Sequence, residues 1–234
     1  MKKEDFYLNN YINYLNKDLN QQRKRVLAMF ETIINQYQLI YYSLKEENQE
    51  KAQKILENEA LINELYNKFL NLTIWKIIKR QFVARDLRQV IIFLIIFHEL
   101  EIIADYASHI ARYFINYSKN IKIFKIYINE GIIHLLSMFN YLKKILETTN
   151  LDLTYLIPKY EDKINIYYKE ETKILLEKLS SNKAKDKKIY QSIVVILKQL
   201  KYIDQISERL VNIAELLIYI KEGSFFDLRD YNKE

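Results

Sequence analysis

Two pairs of carboxylates with helical spacing are the residues of this chain whose types and positions could do chemistry. Glu101 and Asp105 lie four residues apart, and so do Asp204 and Glu208. Residues at this spacing share one face of a helix, where a pair of like charges costs about 0.2–0.5 kcal/mol when it is exposed. A bound cation would remove that cost, so the spacing predicts two cation-attracting patches.

The residues that flank these pairs indicate which cation each patch would prefer. His98 and His109 extend the line of the first pair along the helix, whereas Lys201 and Asn212 occupy the corresponding positions beside the second pair. Two imidazoles beside two carboxylates suit a transition metal, and carboxylate and amide oxygens alone suit harder ions. Lys201 opposes a strong cation site in the second patch.

Two further acid and amide pairs precede these stripes. Glu59 with Asn63, and Glu161 with Asn165, are also four residues apart. If their faces meet the carboxylate stripes, each patch gains an acid and an amide. The predicted metal ligands are therefore His98, Glu101, Asp105, His109, Glu59, Asn63, Asp204, Glu208, Glu161 and Asn165. The alternative is that all of them are solvated surface on long amphipathic helices.

Long helices are the elements that must position these residues. Only two glycines and one proline interrupt the 234 residues, and half of the residues are apolar. Apolar residues recur at spacings of three and four, the pattern of a helix with one buried face. Six helices are predicted: near Asp5 to Leu44, Glu50 to about Arg80, Ala84 to Asn116, about Lys122 to Glu147, near Tyr155 to Leu179, and Ile189 to Lys221.

The helix order repeats. A shift of 103 residues lays residues 90–117 on residues 193–220 without a gap, so that Glu101 meets Asp204 and Asp105 meets Glu208. A shift of 102 lays the pair at Glu59 on the pair at Glu161. The pattern predicts an all-α fold of two tandem, pseudo-symmetric three-helix bundles, residues 1–118 and 119–234.

Composition limits the partners and the compartment. The formal charge is +6, but the lysines are mixed with glutamates through most of the chain and form no single stripe, which is typical of a solvated surface and does not favour nucleic-acid binding. Cysteine is absent, and the N-terminal residues lack the uninterrupted apolar segment of a secretory signal. The most apolar run, residues 90–97, is far shorter than the roughly 20 residues of a membrane-spanning helix. A cytoplasmic protein is predicted.

Several motifs resemble one family. Residues 100–111, LEIIADYASHIA, are similar to the signature LERIGDxAxNIA of the PhoU family, and residues 203–215 look like a second copy that ends in an intact NIAE. Residues 84–88, ARDLR, resemble the ADLR-type start of the family's third helix. The likeness covers nearly the whole chain in helix order. The signature arginine is replaced by Ile102 and Gln205, and two amides stand where second-helix carboxylates are usual.

The resemblance implies a pair of three-helix bundles whose acidic motifs bind iron or zinc clusters in some members. It also implies a non-enzymatic regulator of phosphate uptake, peripheral to the membrane, that contacts the ATPase subunit of a phosphate transporter and a sensor histidine kinase. Homodimer formation is left open. The reduced number of carboxylates weakens the expectation of a metal cluster.

Two other functional classes fit parts of the sequence. A di-iron enzyme needs Glu-x-x-His on two helices, and no histidine of this chain has glutamate three residues before it. The two distant glycines cannot form a phosphate loop or a dinucleotide fingerprint. A helical adaptor, or an accessory protein of another phosphate permease without bound metal, remains as the alternative to the regulator.

Overall fold

The chain forms a helical bundle in which no strand occurs over the described ranges. The computed structural model describes residues 2–80, 82–116, 121–180 and 187–231. Its helices are α1 (Lys2–Glu46), α2 (Gln49–Glu57), α3 (Glu59–Lys79), α4 (Ala84–Asn116), α5 (Ile121–Thr148), α6 (Ile157–Ser180), α7 (Lys187–Glu222) and α8 (Leu228–Tyr231), with a 3₁₀ turn at Leu151–Leu156 before α6. The prediction of an all-α fold of two three-helix bundles is confirmed.

Two of the predicted helices differ in detail from the structure. The second predicted helix is interrupted at Asn58, where α2 ends and α3 begins. The Asn58 amide still donates to the carbonyl of Lys54, and its own carbonyl accepts from Ile62, so the interruption is one residue long. The fifth predicted helix begins as a 3₁₀ turn, because the Asn150 side chain accepts from the Asp152 amide and starts the turn there. Pro158 is the second residue of α6, where its missing amide hydrogen costs least.

One apolar core runs through both halves. In the first half α4 packs on α1, α2 and α3, and in the second half α7 packs on α5 and α6. The halves meet where α1 packs on α5 and α4 packs on α7. Phe139 of α5 contacts both Phe30 and Tyr37 of α1, with ring centroids 5.8 and 4.9 Å apart. The predicted boundary between residues 118 and 119 lies outside the described residues and stays a prediction.

The contact between α4 and α7 follows the internal repeat. The Arg209 guanidinium donates to the Glu99 carboxylate at 2.7 Å, and the rings of Tyr106 and Tyr202 lie 4.9 Å apart. A shift of 103 residues converts Glu99 to Tyr202 and Tyr106 to Arg209. The shift that relates the two halves therefore maps the Glu99–Arg209 contact onto the Tyr202–Tyr106 contact. This is what an internal two-fold axis requires.

Gly131 allows α5 and α7 to pack closely. A Cβ atom at this position would lie 2.9 Å from Cγ2 of Ile203 and 3.2 Å from the ring of Tyr167. Glycine within a helix costs about 1 kcal/mol relative to alanine, and the close packing of α7 offsets that cost.

Over the described residues, no helix combines the length and the apolar content that crossing a membrane requires.

Candidate functional site

Three carboxylates from two helices form the first acidic patch, Glu59, Glu101 and Asp105. Glu59 is the first residue of α3, and the other two lie one turn apart on α4. Burial raises the pKa of the Glu101 carboxyl above its usual value, and the Asp105 charge raises it further. Burial likewise raises the pKa of Asp105, with repulsion from Glu59 as the next cause. The carboxylates of this patch therefore repel one another.

The first patch has one guanidinium and two imidazoles beside it. Arg112 donates to the Glu59 carboxylate at 2.8 Å. His98 Nδ1 lies 3.8 Å from a Glu101 oxygen, and its ring lies against Tyr66. The His109 ring stacks on Tyr202 of α7, with centroids 5.5 Å apart. Within the described part of the chain, these three carboxylates thus have one permanently charged ion-pair partner, Arg112, since a histidine is charged only when it is protonated.

The second acidic patch, Glu161, Asp204, Glu208 and Glu215, is more fully compensated by cations. Glu161 lies on α6 and is buried, and the other three lie on α7. Lys201 donates to the Asp204 carboxylate at 2.6 Å. Arg229 donates twice to Glu161, at 3.1 and 2.8 Å, and also attracts Glu208 and Glu215. Bidentate arginine pairing is a strong form of carboxylate pairing, and here it supplies the counter-charge of Glu161 from within the chain.

Arg229 reaches the second patch because residues 223–231, the C-terminal segment, fold back on the bundle. Gly223 ends α7 in the left-handed region, with φ of 79°, and the Arg88 guanidinium lies where a Cβ atom would stand. The Phe225 ring stacks on Tyr219 at 4.2 Å. Leu228 is 1 % exposed, and its amide donates to the Glu215 carboxylate at 3.1 Å. Burial of Leu228 holds the adjacent arginine over the patch.

The structure brings most of the predicted residues together in the two patches. The two predicted amide ligands differ in exposure. Asn63 is exposed, whereas Asn165 is half-buried on α6, the helix that carries Glu161. Three residues that carry the electrostatics were absent from the prediction: Arg112, Glu215 and Arg229. Arg112 lies two turns after Asp105 on the same face, so continuing the stripe past His109 would have found it. Arg229 lies beyond the end of the last predicted helix, so no helical periodicity in the sequence pointed to it.

The donor geometry does not fit a metal cluster. Within the described ranges, no group of three or more His, Asp or Glu side chains is arranged to share a metal ion. Glu59, Asp204 and Glu161 are instead held by Arg112, Lys201 and Arg229. A cation at either patch would have to displace one of these side chains or bind to Glu101 and Asp105 alone.

Arg229→Gln should destabilise the protein. The substitution leaves the buried Glu161 carboxylate without its bidentate partner, and an unsatisfied buried group costs about 1–3 kcal/mol. Urea unfolding measures the loss. The double variant Glu161→Gln, Arg229→Gln should recover part of the loss, because no uncompensated charge remains. Lys173→Gln removes an exposed cation of α6 and should change the stability by less than about 0.5 kcal/mol. Equal stability of Arg229→Gln and the parent would contradict the pairing.

Replacing the charged pair of the first patch should stabilise the protein at neutral pH. Because the folded-state pKa values of Glu101 and Asp105 are raised, the folded protein binds protons more tightly than the unfolded chain, and stability falls as the pH rises through that window. Glu101→Gln with Asp105→Asn removes two repulsive pairs, a gain of about 0.4–1 kcal/mol. The gain should shrink toward pH ~4, where the parent carboxyls gain protons.

Urea unfolding of the parent and of this double variant at neutral and acidic pH measures the effect. Asp162→Asn with Glu170→Gln makes the same chemical change at exposed positions of α6 and serves as the control. The control should show neither the gain nor its pH dependence. A destabilised Glu101→Gln, Asp105→Asn variant at neutral pH would show that the charges of the first patch attract more than they repel.

The sequence of this chain matches one family model and is similar to several known proteins. The family model described as "PhoU domain" matches residues 26–114 and 133–217. The chain is similar to a protein of Clostridium acetobutylicum named "Phosphate-specific transport system accessory protein PhoU homolog", with 28% identity over 91% of this chain and 96% of that protein. It is also similar to an uncharacterized protein of Mycoplasma genitalium, with 27% identity over 92% and 99%.

Two solved structures have the same fold as this chain. The crystal structure of PhoU from Pseudomonas aeruginosa superposes with a TM-score of 0.79 at 22% identity, over 89% of this chain and 99% of that one. The phosphate transport system regulatory protein PhoU from Streptococcus pneumoniae superposes with a TM-score of 0.78 at 17% identity, over 91% and 99%. Together with the family model, which covers most of the chain, these similarities show that this chain belongs to the PhoU family.

Proposed function

We propose that this protein is a cytoplasmic regulator of phosphate uptake that acts by contact with the ATPase subunit of a phosphate transporter, and with a sensor histidine kinase where the cell has one. The observation that carries this proposal is membership of the PhoU family together with full-length similarity to a phosphate transport accessory protein. The transporter supplies the membrane attachment, so the protein itself is peripheral.

An apolar stripe on α3 supports a role in protein contact. Leu72, Trp75 and Ile78 follow one another at helical spacing and are 40 %, 51 % and 79 % exposed. Lys79 lies over the Trp75 ring at 4.3 Å and adds a cation to the stripe. Tryptophan is enriched at interfaces because it buries a large area with little loss of conformational entropy. We assign the α3 stripe to the ATPase contact.

The described acidic residues support regulation over catalysis. A general acid or base needs a free carboxyl near a substrate site, yet Glu161, Asp204 and Glu59 are held in ion pairs. Glu101 and Asp105 lie on the outer side of α4 and do not line any of the larger described cavities. The proposed activity is therefore a binding equilibrium with partner proteins.

Affinity purification of the tagged protein from its own cells, after mild cross-linking, tests the partner. The ATPase subunit of a phosphate transporter should be recovered with it. Trp75→Ala with Ile78→Ala should lower that recovery at least fivefold, because it removes the exposed anchors of the stripe without touching the core. Ile126→Ala with Ile133→Ala changes two exposed residues of α5 and should leave recovery unchanged.

Recovery of a different phosphate permease in place of the ATPase would favour the adaptor alternative and contradict the proposal. Recovery of the ATPase that is equal for the two double variants would retain the regulator and reject the assignment of the contact to the α3 stripe.

Of the two cation sites that the sequence predicted, only the one in the first patch is proposed as a metal site. We propose that a divalent ion, iron or zinc, binds at Glu101 and Asp105, two carboxylates one helical turn apart, neither of which has an arginine or lysine partner within ion-pair distance in the described part of the chain. Elemental analysis of protein purified without chelator should find more metal in the parent than in Glu101→Gln, Asp105→Asn. Equal metal in the two proteins would rule out this site.

A further inference from the structure

A cavity lies where four helices from the two halves meet. Its volume is about 380 Å³, and its walls come from α1, α4, α5 and α7, together with the 3₁₀ turn before α6. We refer to it as the seam cavity. Residues that define it include Arg23, Arg85, Phe93, Thr149, Leu217 and Lys221. Because both halves contribute walls, a molecule bound here would contact both halves at once.

The polar side of the seam cavity is positively charged. Among the described residues, Arg23, Arg85 and Lys221 line it, and no carboxylate does. In the described part of the chain, none of the three cations has a carboxylate within ion-pair distance. Arg23 donates instead to the backbone carbonyls of Leu146 and Glu147 at the end of α5. These carbonyls hold the guanidinium in position but leave its charge without a counter-ion.

The rest of the seam cavity is apolar. Phe93, Ile145 and Leu217 belong to the core yet present part of their surface to the cavity. Ile220 and Leu151 are half-buried and continue the same wall. The apolar wall is costly to hydrate, and together with the cations beside it the wall complements a molecule with an apolar body and an anionic head.

Thr149 adds a strained residue at the rim of the cavity. Its φ is 56°, in the left-handed region, where a β-branched residue is a genuine outlier. Its amide donates to the Ile145 carbonyl at 2.8 Å and caps α5, a task for which glycine is the usual residue. Backbone strain of this kind persists only where the surrounding structure enforces it, and strained residues cluster at ligand sites. Here it places a threonine side chain against the cavity.

We propose that the seam cavity binds an amphipathic anion, with the head group beside Arg85, Lys221 and Arg23 and the apolar body against Phe93, Leu217 and Ile220. A medium-length acyl carboxylate has this chemistry. The inference is independent of the proposed function, because it rests only on the charges and walls of the cavity. Occupancy would stabilise the contact between the two halves of the folded protein.

The full-length protein tests the proposal with anilinonaphthalene sulfonate as a fluorescent probe. The probe should bind, and decanoate below its micellar concentration should displace it. Decyltrimethylammonium, which has the same chain length and the opposite charge, should not displace it. Saturating decanoate should also raise the melting temperature, since it binds the folded state.

Arg85→Gln with Lys221→Gln removes two of the three cations at exposed positions that leave the core intact. We expect at least a tenfold loss of decanoate affinity. Lys54→Gln with Lys173→Gln makes the same charge change at exposed positions outside the cavity and should retain the parent affinity. Ile220→Trp, checked for helical content by circular dichroism, should fill the cavity and exclude the probe.

Three results would overturn the proposal. Unchanged affinity in Arg85→Gln, Lys221→Gln would show that decanoate binds elsewhere. Equal displacement by decyltrimethylammonium would show that charge plays no part. Displacement by inorganic phosphate at the same concentration as decanoate would show a simple anion site with no use for the apolar wall.

Discussion

The packing of α4 against α7 determines which faces of these two helices remain available for function. Ile103 and Ile206 are fully buried at the centres of these helices, one repeat apart. Because residues one or two positions away in sequence point elsewhere on a helix, this burial turns the carboxylates at 101, 105, 204 and 208 toward the outer sides of the bundle. The Glu99–Arg209 ion pair and the Tyr106–Tyr202 contact then hold the two outer sides in a fixed relation.

The two acidic patches have diverged in how their charge is balanced. The first patch combines one carboxylate of α3 with two of α4, and the second combines one carboxylate of α6 with three of α7. In the first patch repulsion between carboxylates persists, whereas in the second Lys201 and Arg229 provide internal counter-ions. A buried carboxylate is tolerated only when it is paired, so the folding back of the C-terminal segment and the burial of Glu161 require each other. The internal arginine stabilises the fold of the second half, whereas the first patch has less internal compensation of its charge.

Much of the fold follows from local patterns. The bounds of α4 were predicted without error, because a long apolar periodicity and two polar ends define that helix. The end of the last helix was also predicted to within one residue, and Gly223, whose φ of 79° lies in the left-handed region, follows that end. The break at Asn58 was missed because the apolar spacing continues through it. Arg229 and the seam cavity were missed because both depend on contacts between residues far apart in the chain, which spacing along one helix cannot report.

The fold holds the carboxylates of the first patch together with their charge poorly compensated. Carbon-detected NMR of the side-chain carboxyl groups, recorded as a function of pH on the full-length protein, measures this directly. The pKa values of Glu101 and Asp105 should both lie above the ordinary values of glutamate and aspartate side chains. Values at or below the ordinary ones would contradict this electrostatic description, because they would show that nearby cations already balance the first patch.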